Sequence, residues 1–175
     1  MIFSTVLDNI VSGCGRDEFL LMGDDEFLKH CRVSVFIGSG PGGQHRNRNY
    51  TAVRIIFNPI PELSAEDCTS RSQKQNIASA LQKLRLKIAL AWRKKAPDCA
   101  EFVHLNENNP LYPLKLAELL DMICCCNLDH KQAACRMGIS NSKLLKELAR
   151  EPEVWQNFQL ARAENGLSAL NMPGK

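Results

Sequence analysis

Cysteine pairs at metal-binding spacing and long apolar runs are both missing from this sequence. The eight cysteines include no C-x-x-C pair, the spacing expected of a zinc ribbon. No apolar stretch approaches the length of about 20 residues that a membrane-spanning helix needs. Residues 1–8 have neither a basic start nor a long apolar core, so no secretory signal is predicted. The sequence therefore predicts a cytoplasmic protein with reduced thiols, no metal site, no cofactor and no membrane partner.

Acidic residues are absent from residues 71–95, although this segment holds eight Lys or Arg side chains. The preceding part of the chain is acidic, with five Asp or Glu residues between positions 17 and 26. A helix surface that carries only positive charges favours an RNA partner. The alternative interpretation is a solvated helix face without a ligand.

Glycine and proline are concentrated in residues 38–43, which hold four glycines and one proline. No helix or paired strand runs through such a stretch, so a loop with a special backbone path is predicted. The β-branched and aromatic runs at 31–37 and 51–57 predict strands on either side of a loop at 38–50. Polar tips held by a rigid scaffold are common sites of chemistry.

The loop resembles the signature of class I peptide chain release factors and of the related ribosome-rescue peptidyl-tRNA hydrolases. The matching residues are Ser39-Gly40-Pro41-Gly42-Gly43-Gln44-His45, then Asn47-Arg48 and Ala52-Val53-Arg54-Ile55. A second block of the family follows at Arg71-Ser72-Gln73-Lys74-Gln75-Asn76. The resemblance covers about residues 25–95.

This resemblance implies that Gly42, Gly43 and Gln44 are the catalytic residues of peptidyl-tRNA ester hydrolysis. The glycines would let the main chain approach the ester, and the Gln44 amide would stabilise developing negative charge. His45 has no role as a base in the family, and no Ser/His/Asp triad is apparent here. The predicted partners are ribosomal RNA of the large subunit and peptidyl-tRNA.

A larger set of residues is predicted to contact RNA phosphate or to brace the loop. Its members are cationic or amide side chains of the loop, of the second family block and of the following helix. They are His45, Arg46, Arg48, Arg54, Arg71, Gln73, Gln75, Asn76, Arg85, Lys87, Arg93, Lys94 and Lys95.

The predicted fold class is α+β, a small sheet with a long packing helix followed by an all-helical C-terminal domain. A third short strand is expected at 63–68, and apolar residues at a spacing of 3.6 predict the long helix from Ser70. Four divisions are predicted: an N-terminal extension at 1–30, a catalytic domain at 31–105, a linker at 106–113 and a helical domain at 114–165. The extension is expected to contain one short helix, and Asp24-Asp25 is expected to cap a turn there.

Residues 130–145 resemble a helix-turn-helix, with Gly138 in the turn and Ser140 capping the second helix. The alternative is a plain helical bundle. Residues 108–175 hold eight Lys or Arg against seven Asp or Glu, so the surface Asn141, Ser142, Lys143 and Lys146 is not predicted to read DNA. A structural or ribosome-docking module is preferred, and residues 165–175 are expected to be frayed.

Two functions remain open from the sequence. The leading hypothesis is a peptidyl-tRNA hydrolase that acts on stalled ribosomes without reading a codon. The Pro-x-Thr and Ser-Pro-Phe tripeptides by which full release factors read stop codons do not occur, and residues 151–175 have a net charge of −1 instead of the basic tail of small rescue factors. The alternative is a non-catalytic ribosome- or RNA-binding protein with a nucleic-acid-binding helical domain.

Overall fold

The computed structural model describes residue 3 and residues 14–37 and 50–174. Its contacts divide the chain into two compact units. We call Ile10–Ile88 the sheet unit, and Ala89–Lys175 together with Met1–Asn9 the helical unit. The domain boundaries predicted from the sequence stay predictions.

Three antiparallel strands form the sheet of the sheet unit, in the order β1-β2-β3 among the described residues. The strands are β1 (Cys31–Phe36), β2 (Ala52–Phe57) and β3 (Ser64–Asp67). The predicted strands are confirmed to within one residue at each end. Four of the six residues of the central strand β2 are buried, and three of them, Val53, Ile55 and Phe57, share one face of the sheet.

Helix α3 (Gln73–Ala91) is the predicted long helix, and it begins three residues later than expected. Its residues Leu81, Leu84 and Ile88 are buried, as is Ile55 of β2. Burial of each such side chain contributes about 1.5–3 kcal/mol to stability. Lys74, Lys83 and Lys87 are exposed on this helix, so the predicted amphipathic pattern is confirmed except at Arg85, which is buried.

Two short helices precede the sheet, where the sequence predicted one. They are α1 (Arg16–Leu21) and α2 (Asp24–Lys29), which begin directly after Gly15 and Gly23. Each glycine is the N-cap of a helix, and Gly23 separates α1 from α2 instead of breaking a single helix. The expectation that Asp24-Asp25 forms a cap is therefore also wrong, because these residues lie in the first turn of α2.

Aromatic side chains join these short helices to the sheet. Phe19 of α1 meets Phe57 of β2 edge to face, with ring centroids 5.0 Å apart. Phe27 of α2 lies 5.8 Å from the same ring. All three are fully buried, so residues before the first strand contribute to the core of the sheet unit.

The helical unit contains four helices after the end of α3 in the described part of the chain. They are α4 (Tyr112–Cys125), α5 (His130–Arg136), α6 (Asn141–Arg150) and α7 (Pro152–Glu164). Helix α4 starts before Leu114, the first residue of the predicted run. Pro113 lies in its first turn, where the missing N–H leaves no helical hydrogen bond unmade.

The turn between α5 and α6 has the features predicted for a helix-turn-helix. Gly138 adopts a φ of +65°, a region that glycine enters without a steric penalty. The Ser140 hydroxyl accepts a hydrogen bond from the Lys143 N–H at 3.2 Å. The predicted N-cap is therefore confirmed, and α5 and α6 contact each other as expected.

The segment after α7 is held by the helix, contrary to the expectation of a frayed end. The Leu167 N–H donates to the Arg162 carbonyl at 2.8 Å. The Arg162 guanidinium donates to the Ser168 carbonyl at 2.8 Å, and the Leu170 N–H donates to the Gln159 side chain at 3.1 Å. Residues 167–170 thus turn back along α7.

The observed sheet and helices confirm the α+β fold class. All eight cysteines are free thiols, and burial raises the pKa of Cys124 to about 11. Within the described ranges no helix is both long and apolar enough to cross a membrane. The same ranges contain no cluster of three His, Cys, Asp or Glu side chains placed to hold a metal ion.

Candidate functional site

The predicted catalytic loop joins two strands that pair with each other. Phe36, the last residue of β1, lies opposite Ala52, the first residue of β2. The antiparallel pairing therefore holds the two ends of the connecting segment next to each other, at the same end of the β1–β2 pair. Six predicted site residues fall within this segment and lie outside the described residues: Gly42, Gly43, Gln44, His45, Arg46 and Arg48.

Asn76 braces the point where the loop enters β2. Its side chain is fully buried, and its Nδ2 group donates to the Thr51 carbonyl at 2.6 Å and to the Ser70 carbonyl at 3.0 Å. Its Oδ1 atom accepts the Ser70 N–H at 2.8 Å. One amide therefore ties α3, the turn before it and the first residues after the loop.

The other residues of the second family block are exposed or shape the turn before α3. The Ser72 N–H donates to the Ser70 hydroxyl at 3.0 Å, and that hydroxyl also donates to the Gln75 side chain. These contacts occupy the three residues before α3 and explain its late start. The side chains of Arg71, Gln73 and Gln75 are exposed.

Asp67 connects β3 to α3 and was missed by the sequence analysis. Its buried carboxylate accepts hydrogen bonds from the Thr69 hydroxyl and the Ser79 hydroxyl, each at 2.7 Å, and from Lys83 at 2.5 Å. Burial alone would raise the pKa of Asp67, but these donors outweigh it and hold the pKa well below its usual range. Asp67 lies two residues after Ala65 and therefore on the same, buried face of β3. An acid on the apolar face of a strand was the signal that the sequence offered.

Arg54 remains available at the surface although it has partners. Its side chain is 51% exposed and pairs at 2.5 Å with Glu66, the residue opposite it on β3. The guanidinium also lies 5.8 Å from the Phe36 ring centre. Exposed ion pairs contribute about 0–1 kcal/mol, so an RNA phosphate would compete readily for this group.

The Arg85 guanidinium is bound by other residues of the sheet unit. Its guanidinium donates to Asp24 at 2.6 Å and to the Met22 carbonyl at 2.5 Å, and it lies 4.7 Å from the centre of the Phe27 ring. The residue is only 8% exposed. Its charge therefore stabilises the N-terminal helices against α3.

The Arg93 guanidinium is likewise bound by other residues of the helical unit. The side chain is fully buried and lies 3.2 Å from the carboxylate of Asp121 on α4. It also donates to the carbonyls of Ala89 and Ala117. Because Arg85, Arg93 and Asn76 are buried and bonded within the protein, the RNA-facing set proposed below leaves them out.

The predicted lysines lie nearer the solvent. Lys87 is exposed and donates to the Ser64 carbonyl of β3 at 2.6 Å. Lys95 is exposed, and Lys94 is half-buried with its N–H bonded to Asp121 at 3.0 Å. Together with Arg54 and Arg71, Lys87 gives the sheet unit three exposed cations from the predicted set.

Comparison with known proteins identifies the segment that contains this site. A family model described as the RF-1 domain matches residues 27–108. Peptide chain release factor 1 of Bifidobacterium animalis subsp. lactis is 36% identical over 86 residues, which are 46% of this chain and 23% of that protein. Peptide chain release factor 2 of Neorickettsia sennetsu is 36% identical over 86 residues, 49% of this chain and 22% of that protein.

A third relative, peptide chain release factor 1 of Frankia casuarinae, is 40% identical over 77 residues, which are 43% of this chain and 21% of that protein. The chain thus spans less than a quarter of the length of these relatives. The segment that matches the RF-1 domain, residues 27–108, contains both the loop motif and the second block on which the predicted resemblance rests.

Proposed function

We propose that this protein hydrolyses the ester bond of peptidyl-tRNA on the ribosome, with Gly42-Gly43-Gln44 acting in the peptidyl transferase centre. The observation that carries the proposal is the release-factor domain at 27–108, which contains the tripeptide. The named relatives are release factors. The Asn76 brace supports the same proposal, since it fixes Thr51 directly behind the loop.

The proposed chemistry needs a held water and a donor for the developing oxyanion. A preorganised main-chain N–H supplies such a donor without a charged side chain. In this proposal the Gln44 N–H has that role, and the Gln44 side chain shapes the access of water. Gly42 and Gly43 allow the close approach of the main chain to the ester that a Cβ would block.

Exposed polar groups of the sheet unit would hold the domain on RNA. The proposed set consists of cations and amides that reach the solvent: Arg54, Arg71, Gln73, Gln75 and Lys87. His45, Arg46 and Arg48 complete it from the loop. We further propose that release is independent of a codon and rescues stalled ribosomes in the cytoplasm, since the sequence holds neither codon-reading tripeptide.

A release assay tests this proposal. Ribosomes with labelled peptidyl-tRNA are prepared with and without a codon in the A site, and peptide release is followed. Wild-type protein is expected to release peptide in both cases, and Gly43→Ala is expected to abolish release while ribosome binding stays nearly unchanged. Gln44→Ala should have a milder effect, because it keeps the main-chain N–H.

Gly23→Ala is the matched glycine control. Gly23 has a φ of −61°, and a Cβ there would meet no atom within 4 Å. The Gly23→Ala variant should therefore release peptide at the wild-type rate. Wild-type rates from Gly43→Ala would contradict the catalytic proposal, whereas binding without any release by the wild type would favour the non-catalytic alternative.

A further inference from the structure

The cations of the helical unit are segregated along the sequence. Residues 130–146 form α5, the turn and the first part of α6. They contain three lysines and one arginine, namely Lys131, Arg136, Lys143 and Lys146, and no Asp or Glu. The following residues 147–165 contain four glutamates and two arginines. The near-neutral total for the C-terminal half therefore conceals a basic surface next to an acidic segment.

The packing of α5 against α6 turns these cations outward. Ala133, Ala134 and Leu144 are buried on the inner sides of the two helices. Lys131 and Lys146 are exposed, while Arg136 is half-buried. Lys143 is exposed too, with its ammonium 5.1 Å from the Phe102 ring centre. We call these four cations the α5–α6 cationic face.

Cations elsewhere on the helices of this unit have internal partners. Lys115 of α4 pairs with Glu118 at 2.7 Å, and Arg150 at the end of α6 pairs with Glu147 at 2.9 Å. Arg162 of α7 donates to the Leu128 and Ser168 carbonyls. In the described part of the chain, Lys131, Arg136 and Lys146 form no ion pair. Asp129, the N-cap of α5, interacts electrostatically with Lys131. Arg136 and Lys146 are therefore the cations of this group without an Asp or Glu partner in the ranges that the structure describes.

The start of α6 favours contacts with phosphate over contacts with base edges. In a DNA-reading helix-turn-helix, the first residues of the second helix meet the bases. Here the first residue is Asn141, whose Oδ1 atom is buried without a hydrogen-bond partner among the described residues. The Oδ1 atom of this half-buried residue is thus turned inward, and the exposed residues at the start of α6 are Ser142 and Lys143.

We propose that the α5–α6 cationic face binds the phosphate backbone of double-helical RNA. The proposal rests on the proposed function, because a ribosomal role makes structured RNA the phosphate-bearing partner. The deep, narrow major groove of an RNA duplex excludes an α-helix, so such duplexes are bound through phosphates and 2′-hydroxyls. Lysine and arginine side chains around an exposed hydroxyl suit that form of binding.

Binding of the full chain to a 20-base-pair RNA hairpin tests the proposal. The variant Lys131→Gln/Lys146→Gln lowers the net charge by two. We expect its affinity at about 0.1 M salt to fall by roughly tenfold, and the slope of log K against log salt to decrease by about 1–2. Both side chains are exposed, and thermal unfolding checks that the fold is kept.

The matched control places the same change in charge on α7. Gln156→Glu/Ala163→Glu also lowers the net charge by two, at two exposed positions of the same unit. It should reduce RNA affinity by less than about twofold, since charges beyond a Debye length of about 10 Å are screened. Equal losses in the two variants would overturn the proposal, as would wild-type affinity in Lys131→Gln/Lys146→Gln.

A DNA duplex of the same sequence forms the second arm of the experiment. Tighter binding of DNA than of RNA by the wild type would also overturn the proposal, in favour of a DNA-reading module. The hairpin assay does not involve peptide release, so its outcome is separate from that of the Gly43→Ala experiment. If the proposal holds, Lys131→Gln/Lys146→Gln should still release peptide when supplied in excess.

Discussion

At the scale of single residues, the site depends on a buried amide. Asn76 makes three hydrogen bonds and satisfies the carbonyl of Thr51, which lies just after the proposed catalytic segment. A buried polar atom that loses its partner costs about 1–3 kcal/mol. The position of the loop is therefore coupled to a side chain that itself touches no substrate in our proposal.

We expect Asn76→Ala to lower the free energy of unfolding by about 2 kcal/mol, because it leaves the Thr51 carbonyl and the Ser70 main chain without partners. Peptide release should fall more than ribosome binding, since the loop loses its support. Urea unfolding and single-turnover release measure the two effects. Gln82→Ala, at an exposed position of the same helix, should change neither. Unaltered stability and release in Asn76→Ala would contradict the bracing role.

Residue-level predictions failed where a side chain meets a partner distant in sequence. The basic segment 71–95 was identified correctly, but a charge pattern does not reveal which cations are buried. Arg85 finds Asp24 across 61 positions, and Arg93 finds Asp121 on α4. Both partners are ordinary acids in the sequence, so only the folded arrangement separates internal cations from exposed ones.

At the scale of elements, the contact of β3 with α3 depends on Asp67. The carboxylate lies between strand and helix, with Lys83 and Ser79 donating from α3. Its pKa is lowered from the unfolded value of 3.8. Its contribution to stability is therefore complete above that value and is lost as the pH falls below it.

We expect Asp67→Asn to be less stable than the wild type by about 2 kcal/mol at pH 7, because the hydrogen-bonded ion pair of the buried carboxylate with the half-exposed Lys83 is lost. The difference should shrink steadily as the pH is lowered from 4 to about 2. Urea titrations followed by the β2 amide resonances measure it. Glu66→Gln, which alters the exposed neighbouring acid, should cost less than about 1 kcal/mol. A difference independent of pH would contradict this account.

The strands and the long helix were predictable from local sequence patterns. Runs of β-branched and aromatic residues predicted β1 and β2, and apolar residues at a spacing of 3.6 predicted α3. Helices α1 and α2 were not separated correctly, since six residues are too few to show a period. From the sequence alone, a glycine that begins a helix cannot be distinguished from a glycine that interrupts one.

At the scale of the whole molecule, the chain combines a segment that matches the RF-1 domain with a helical unit. The family match ends at residue 108, and the helical unit begins at Ala89. Residues 89–108 therefore belong to both descriptions. The Leu105 carbonyl, for example, accepts a hydrogen bond from Arg150 of α6 at 2.7 Å. The linker predicted at 106–113 stays a prediction, because an Asn- and Pro-rich composition is shared by linkers and by packed turns.

We expect a fragment of residues 1–107 to keep the folded sheet unit and to lose peptide release at low concentration. Release should partly return at high concentration, because truncation removes binding energy and leaves the loop in place. The fragment lacks Asp121, so Arg93 loses its carboxylate partner and Trp92 should become more exposed. Circular dichroism, tryptophan fluorescence and a concentration series measure these effects. Full activity at low concentration, or an unfolded fragment, would contradict the prediction.

The contact of Arg85 with α2 also sets an order of events during synthesis. Phe27 and Asp24 are made first, but their guanidinium partner lies 61 residues beyond Asp24. At about 5–20 residues per second, the interval is about 3–12 s. Until then the nascent chain presents Phe19 and Phe27 without the helix that completes their surroundings. A polypeptide interrupted before residue 85 would expose these aromatic rings and become a target for chaperones or proteases.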